Sequence, residues 1–558
     1  MKNFTLLVFA LIVVSLSAQE TTIAPFSWHY ADADLNALEV LDVETFDHDA
    51  LLAEDVLIER ETGRENYGRI AFEDVSPDNS GTWTHFDDGS KMWRLKFTSS
   101  DALAVSVFFD QYYIPEGAKL WVWSADRSFS DGPYDHTDNN DHGYMGTSEV
   151  FGDTAVLEYY QPADVVGELQ LSTHGFGHYY THIFDYRDEK RGGSQPCEVD
   201  VKCPEGDGYM GQINSTTRMR ITDGQFLFLC SGVMMNNTEL DCRQIMLTAY
   251  HCTEGVSNAD LLLMQVRFNY ERTGCGSGAS ISSHNRTGVL SLGHSNDGGG
   301  QSGSDYAVYE VEDDILEGWE IFYAGWDASG TGSVWGIGTH HPSGDTKKIS
   351  SYDSPIVSDS WGFASGSHWR VSWIATETDH GVTEGGSSGS PLWNTWGQVV
   401  GTLTGGSSCC EGSENPQQGC VSNTSPDWYG KMSYHWDNNN NATTDLKEVL
   451  DPSNSGVEEL FGAFAPNCDQ SWLQVVELEF DDVTVFPNPT SDIVSFSIPK
   501  RFELSSIKIY NAMGQLMGVE STRFNSGELD LRGMSDGIYY LTFTTSTGQQ
   551  VTKKVTVI

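Results

Sequence analysis

A chain of 558 residues is longer than one hydrophobic core supports, so about three or four domains are expected. Its 31 basic and 79 acidic residues leave a formal net charge of -48. Such an excess repels phosphate backbones and anionic bilayers, which excludes nucleic acid and anionic membrane surfaces as partners.

Residues 1–18, MKNFTLLVFALIVVSLSA, join an early lysine to an apolar run from Phe4 to Val14 and a small-residue end at Ala18. That is the pattern of a secretory signal peptide cleaved after Ala18. The run falls short of the roughly 20 apolar residues of a membrane-spanning helix, and no later segment reaches that length. Residues 19–191 contain alternating stretches such as KMWRLKFTS, ALAVSVFFDQYY, AKLWVWSAD and TAVLEYYQP. Their period of two and their aromatic and β-branched content predict the antiparallel strands of a sandwich. The segment ends in YRDEKRGGSQPCEVD, where a charged run and two glycines make an exposed joint open to processing at Lys190 or Arg191.

Residues 192–460 are many short strands joined by Gly and Ser turns, among them FLFLCSGVMM, QIMLTAYHC, HWRVSWIAT and QVVGTLTGG. They predict a β-barrel or sandwich, with one late helix in TTDLKEVL packed on its outside. A linker over 461–476 leads to residues 477–558, a Cys-free β-sandwich with turns at Asn-Pro, Met-Gly, Asp-Gly and Thr-Gly. The ten cysteines all lie between Cys197 and Cys468. In an exported chain that confinement predicts disulfides stapling the central segment alone, with pairings that spacing does not reveal. CEVDVKC and CC lack the paired two-residue spacing of zinc knuckles, and no metal site is expected.

Within the central segment, three stretches together carry chemistry. A serine hydroxyl becomes nucleophilic when a histidine accepts its proton and a buried carboxylate holds that histidine's tautomer. TAYHC places His251 at the end of an apolar strand, GSDYAVYEV places Asp305 before another, and GGSSGSP places Ser388 in a tight turn. The order His, Asp, Ser is that of the chymotrypsin arrangement. A rival frame reads GGSSG with Ser387 as nucleophile and Asp427 and His435 following, as in an α/β-hydrolase elbow. That elbow must enter a helix, whereas Pro391 and the strand-like QVVGTL follow here.

TAYHC, SDYAVYEV and GSSGSP resemble the trypsin-like serine endopeptidases, and KCPEGD, GIGTHHPSGDTKKIS and GVTEGGSSGSPLW resemble the bacterial lysyl endopeptidase group within them. The resemblance implies an all-β chain with a trypsin-like double β-barrel. It implies His251 as general base, Asp305 as its orienting carboxylate, Ser388 as nucleophile, and the amides of Gly386 and Ser388 as the oxyanion hole. Ser387 stands where trypsins usually carry aspartate, a departure the lysyl group shares. The residue ahead of the nucleophile that sets trypsin specificity is Val382 here, and the lysyl group's specificity aspartate matches Asp427 in SPDWYGK. Cleavage after lysine follows, with arginine left open, because TLTGG has Thr404 where the group has an assisting histidine.

The same resemblance implies disulfides Cys197 to Cys410, Cys203 to Cys275 and Cys230 to Cys252. Local spacing suggests Cys409 with Cys420, and leaves Cys242 and Cys468 paired or separate. The resemblance also makes 19–191 a propeptide that blocks the site and is released by cleavage after Lys190 or Arg191. Glycine cannot supply the apolar new terminus that trypsins insert, so the Cys197 bridge is expected to hold that terminus outside the barrel. His340 and His341 in THHPSGD read as strand and turn residues, because no third ligand is spaced with them. VFPNPTSD, GIYYLTF and KKVTVI resemble the type IX secretion sorting domain of the Bacteroidetes. The expectation is a monomeric enzyme, secreted or held at the outer cell surface, acting on proteins or peptides and exported by the type IX machinery. No cofactor is implied, and no calcium loop is legible. The competing expectation is a catalytically inactive binding or adhesion protein on a protease scaffold.

Overall fold

The computed structural model describes residues 24–30, 37–181, 193–280, 284–411, 421–468, 483–498, 504–512, 515–520, 526–545 and 550–558. The signal peptide, Lys190, Arg191 and Cys420 lie outside them. The chain forms two compact units, Met1–Gln470 and Ser471–Ile558. Among the described residues no helix is long and apolar enough to cross a membrane.

The N-terminal region holds two packed sheets, and alternation explains why. In Lys91–Thr98, Trp93, Leu95 and Phe97 point into one core, where Phe97 meets Phe176 of the facing sheet at 4.7 Å between ring centroids. One helix, α1 (His48–Thr62), has no counterpart in the sequence reading. Its apolar side chains Leu52, Val56 and Leu57 are exposed, so no buried stripe announces it. Asp47 caps its start by accepting from the Ala50 amide, and Gly63, at φ +72°, ends it in the left-handed conformation that glycine adopts without strain. The chain then enters strand β1 (Asn66–Ala71).

Residues 193–468 build two closed barrels of the same design. The first uses β2 (Thr216–Asp223), β3 (Phe226–Met235), β4 (Ile245–Thr248), β5 (Gln265–Arg267), β6 (Asn285–Thr287) with β7 (Val289–His294), and β8 (Ala307–Val311). Only Gly288, at φ +96°, separates β6 from β7, so the two act as one bent strand. The second uses β9 (Gly336–His340), β10 (Lys348–Tyr352) bending into β11 (Val357–Asp359), β12 (His368–Val371), β13 (Pro391–Trp393), β14 (Val399–Gly406) and β15 (Asp427–Lys431). In both, the first strand pairs with the second and fourth, the third with the second and sixth, and the fifth with the fourth and sixth. That circuit closes each barrel on itself.

Met219, Phe228, Met246, Val266 and Tyr309 fill the first barrel; Trp369, Trp373, Leu392 and Tyr429 fill the second. Val233, Leu247, Val308, Ile337 and Trp393 pack between them. The late helix is short, Leu446–Leu450, and buries Leu446, Val449 and Leu450 against this middle layer. Disulfides join Cys197 to Cys410, Cys203 to Cys275, Cys230 to Cys252 and Cys242 to Cys468. Cys409 is also disulfide-bonded. The C-terminal unit, described by itself, packs a three-stranded and a four-stranded sheet over Val494, Phe496, Ile507, Leu541, Phe543 and Val555.

The N-terminal region is not a separate body beside the barrels. Strand β1 pairs on one side with Gln170–Tyr179 of its own sandwich and on the other with β3, through Phe226 opposite Arg69 and Leu227 opposite Gly68. Beneath this junction the Glu149 carboxylate of the N-terminal region meets three buried arginines of the first barrel: Arg218 at 3.1 Å, Arg267 at 2.8 Å and Arg220 at 3.9 Å. Burial alone raises the Glu149 carboxyl, but the three guanidinium groups outweigh it and hold the carboxyl well below the usual range. Its contribution is therefore complete above the ordinary carboxylate pKa and is lost as pH falls through the depressed value. Glu149→Ala leaves the cationic cluster buried without its anion, and we expect a loss of about 3–5 kcal/mol from unfolding of the 1–470 unit in urea. A change below about 1 kcal/mol would show that the cluster does not hold the junction.

Candidate active site

His251, Asp305 and Ser388 come from three places in the two barrels. Strand β4 ends at Thr248, and the chain turns through Tyr250–Cys252, placing His251 just past the strand end. Asp305 precedes β8, which is hydrogen-bonded to β4, so the two residues leave neighbouring strands on the same side. The His251 amide donates to Asp305 Oδ1 at 2.9 Å, and His251 Nδ1 lies 2.7 Å from Oδ2. Asp305 is fully buried; burial raises its carboxyl, but the charge and hydrogen bonds of His251 outweigh this and lower it. An ionised carboxylate only accepts, so Nδ1 carries a ring proton, and His251 lines the cleft.

Asp305 stands at φ +61°, a costly conformation for a residue with a side chain. Asp297 braces it. Its Oδ2 accepts from the Asp305 amide at 2.8 Å, and its Oδ1 accepts from Gly300 at 3.0 Å.

Ser388 belongs to a tight turn in which Gly386 and Gly389 both take φ +80°. A Cβ on Gly389 would lie 2.1 Å from Thr248 Oγ1, which is why the turn fits so closely against the end of β4. The Ser231 amide of β3 donates to the Ser388 carbonyl at 2.8 Å, and that carbonyl lies 3.8 Å from Cys252 Sγ, next to the histidine. The Cys230–Cys252 bridge ties β3 to the turn that carries His251. Among the described residues, no hydrogen bond joins Ser388 Oγ to the His251 ring in this form of the chain.

The elbow reading fails on geometry. Ser387 is buried with its hydroxyl 2.8 Å from His340 Nδ1, His435 is engaged by Ser304 and Thr402, and strand β13 follows the turn. His340 is buried and held neutral, its pKa pushed down to about 3 by burial and Lys348. Its Nε2 meets Ser350, and His341 Nδ1 meets the Asp345 carbonyl, so both histidines brace the turn. The one His/Cys grouping close enough for a metal among the described residues, Cys230, His251 and Cys252, has both thiols spent in a disulfide.

Asp427 opens β15 and is fully buried. Oδ2 accepts from Trp373 Nε1 at 2.6 Å, Thr383 Oγ1 at 2.8 Å and Ser408 Oγ at 2.6 Å, while Oδ1 takes the Ser408 amide at 3.1 Å. Burial raises its carboxyl against these bonds. Gly406 lies against it, where a Cβ would stand 1.8 Å from Oδ1. Thr404, on the neighbouring wall, accepts or donates to His368 Nε2 at 3.0 Å. His368 therefore reaches Thr404 from strand β12, across the intervening β15, a placement no spacing in the sequence announced.

Residues 191–430 match the family model "Lysyl endopeptidase, C-terminal domain", and residues 484–558 match "Secretion system C-terminal sorting domain". Over the first span the chain is similar to the lysyl endopeptidases. A curated lysyl endopeptidase of Pseudomonas aeruginosa is 32% identical over 279 residues, covering 47% of this chain. The chain spans 56% of that relative's length. Solved structures include the protease Anisep from Arthrobacter nicotinovorans, 16% identical, covering 40% of this chain and 92% of that one with a TM-score of 0.28. The secreted serine protease VesC from Vibrio cholerae is 12% identical, covering 62% and 69% with a TM-score of 0.27. These low scores carry no weight beside the strand circuits above.

The N-terminal region enters the cleft. A space of about 380 Å³ lies between His251, Gly299 and Trp361 on one side and Glu59, Gly63 and Arg64 on the other. Glu65 lies beside Gly385, where a Cβ would come within 2.0 Å of its Oε2. That oxygen is buried and without a hydrogen-bond partner among the described residues. Burial, then Glu59, Glu384 and Asp55, pushes the Glu65 carboxyl up to about 8. The seated segment is thus favoured while Glu65 is protonated, fully below the ordinary carboxylate range, and that contribution is lost as pH rises through about 8. Hydrogen exchange of the 63–68 amides, corrected for intrinsic rate, is expected to show protection falling across that range in the native chain and staying flat in Glu65→Gln. An equal fall in both would remove Glu65 as the cause.

Proposed function

We propose that this chain is the precursor of a secreted serine endopeptidase that cleaves peptide bonds after lysine. The observation that carries the proposal is the buried 2.7 Å pairing of His251 Nδ1 with Asp305, set beside the Ser388 turn. In this reading Ser388 Oγ attacks the scissile carbonyl carbon while His251 Nε2 takes its proton and Asp305 stabilises the resulting imidazolium. The amides of Gly386 and Ser388 receive the oxyanion, a contribution of about 3–4 kcal/mol per donor in comparable hydrolases. His251 then protonates the leaving amine. The acyl-enzyme is hydrolysed by water that His251 deprotonates in turn, which restores Ser388.

Asp427 is proposed as the specificity residue. An uncompensated buried carboxylate favours a cation beside it. Three donors already crowd Oδ2, which leaves poor geometry for the two-pronged grip of a guanidinium and favours the single-point ammonium of lysine on Oδ1. The N-terminal region is proposed as a propeptide removed by cleavage after Lys190 or Arg191, of which Lys190 suits the enzyme's own specificity. The C-terminal unit is proposed to direct export by the type IX machinery.

The test uses matched peptides differing only in Lys, Arg or Phe before the scissile bond. Lysine is expected to be preferred, with turnover falling at least about a thousandfold in Ser388→Ala. Asp427→Asn is expected to reduce the Lys to Phe ratio by about a hundredfold or more. Equal cleavage after Lys and Arg would broaden the specificity, and no cleavage by correctly processed protein would favour the binding-protein alternative. For self-processing, the intact precursor is expected to persist in Ser388→Ala; normal maturation of that variant alone would assign the cut to another protease.

A further inference from the structure

Arg64 of the N-terminal region grips the cleft, and every partner of its guanidinium belongs to the first barrel. Its Nε donates to the His251 carbonyl at 3.0 Å, its Nη1 to Asp223 Oδ2 at 2.9 Å, and its Nη2 to the Glu254 carbonyl. The guanidinium carbon lies 4.8 Å from the centre of the Phe228 ring. Three acceptors in different directions with an aromatic face match a planar fork of donors, and an ammonium would satisfy only part of the set. These acceptors are fixed by the fold. Two are backbone carbonyls of the turn that carries His251, and Asp223 and Phe228 sit on the β2 and β3 strands of one hairpin.

We propose that this is a built binding site for the arginine side chain of a peptide, occupied by Arg64 in the full chain and offered to substrates once the N-terminal region leaves. It is separate from the Asp427 pocket, which belongs to the second barrel. From Gly63, beside His251, the chain runs along β3 in antiparallel register, with Asn66 opposite Phe228 and Arg69 opposite Phe226. A substrate extended the same way places residues that follow the scissile bond along this strand, and one of them reaches the socket. The substrate class is thus a peptide with lysine before the scissile bond and arginine shortly after it, which rests on the proposed endopeptidase reading.

The socket itself is testable without turnover. In full-length Arg64→Ala the site is vacated while β1 and the Glu149 cluster still hold the region in place. Millimolar arginine amide is expected to raise the melting temperature of this variant measurably, lysine amide by less than half as much, and neither to act on Arg64→Ala/Asp223→Ala. Equal responses to the two amides, or a response that survives loss of Asp223, would overturn the site. The second measurement uses the mature secreted enzyme and peptides carrying Arg, Lys or Ala at each of the three positions after a scissile lysine. Arginine at one position is expected to raise kcat/KM about tenfold over alanine, with the ratio falling to within about twofold in Asp223→Ala. A ratio near one at all three positions would overturn the substrate assignment. If no peptide is cleaved while arginine amide still stabilises Arg64→Ala, the endopeptidase reading fails and the arginine site stands.

Discussion

A fully buried carboxylate, Asp305, held against the backbone and ring of His251, is the constraint on which the rest of this structure depends. Such a group is stable in the interior only if every lone pair is used and a positive charge can appear beside it. The fold supplies both conditions at some conformational cost. Asp305 takes a left-handed backbone, Asp297 holds its amide, and Gly298, Gly299 and Gly300 all adopt positive φ so that their loop closes over the histidine. The first barrel thus presents a histidine with its tautomer already chosen. The second barrel brings Ser388 to it through a turn whose glycines admit contacts no side chain would allow.

The same economy governs the boundary between the N-terminal region and the barrels. Strand β3 outruns β4, which pairs only with Val233–Met235, and β1 covers the Phe226–Phe228 stretch left over. The junction places three arginines, which no aqueous surface requires to be buried, around the single carboxylate Glu149. A short run, Gly63 to Asn66, then combines two opposite electrostatic choices. Arg64 enters a site rich in acceptors, while Glu65 enters one already crowded with carboxyl groups and stays only by keeping its proton. Firm attachment at β1 with a carboxyl kept protonated in the cleft is consistent with the propeptide role proposed for this region.

Much of this architecture is legible in the amino-acid sequence. Alternation in KMWRLKFTS and AKLWVWSAD exposes the N-terminal strands, and the tight spacing of glycines around Ser388 marks its turn. The order of TAYHC, SDYAVYEV and GSSGSP suggests which three residues meet, and the structure places His251 on Asp305 and the Ser388 turn against strand β3. Helix α1 escapes sequence reasoning because its apolar residues are not confined to one face. Arg64 and Glu65 escape it because their roles depend on partners some 190 and 320 residues away in sequence, which no local period encodes. Asp297 has a visible trace in HSNDGGG, where an aspartate before three glycines is a natural loop brace. His368 has none, since only the pairing of β12 with β15, itself beside β14, brings it to Thr404.

The most direct test of the central claim is covalent labelling by a fluorophosphonate probe, with the adduct located by peptide mass spectrometry. Only a serine with an oriented histidine and an oxyanion hole reacts fast with such a probe. The account predicts one adduct, on Ser388, in the mature protein, and labelling at least about a hundredfold slower in the full chain with Glu65 seated beside Gly385. An adduct on another serine, or none on the mature protein, would contradict it.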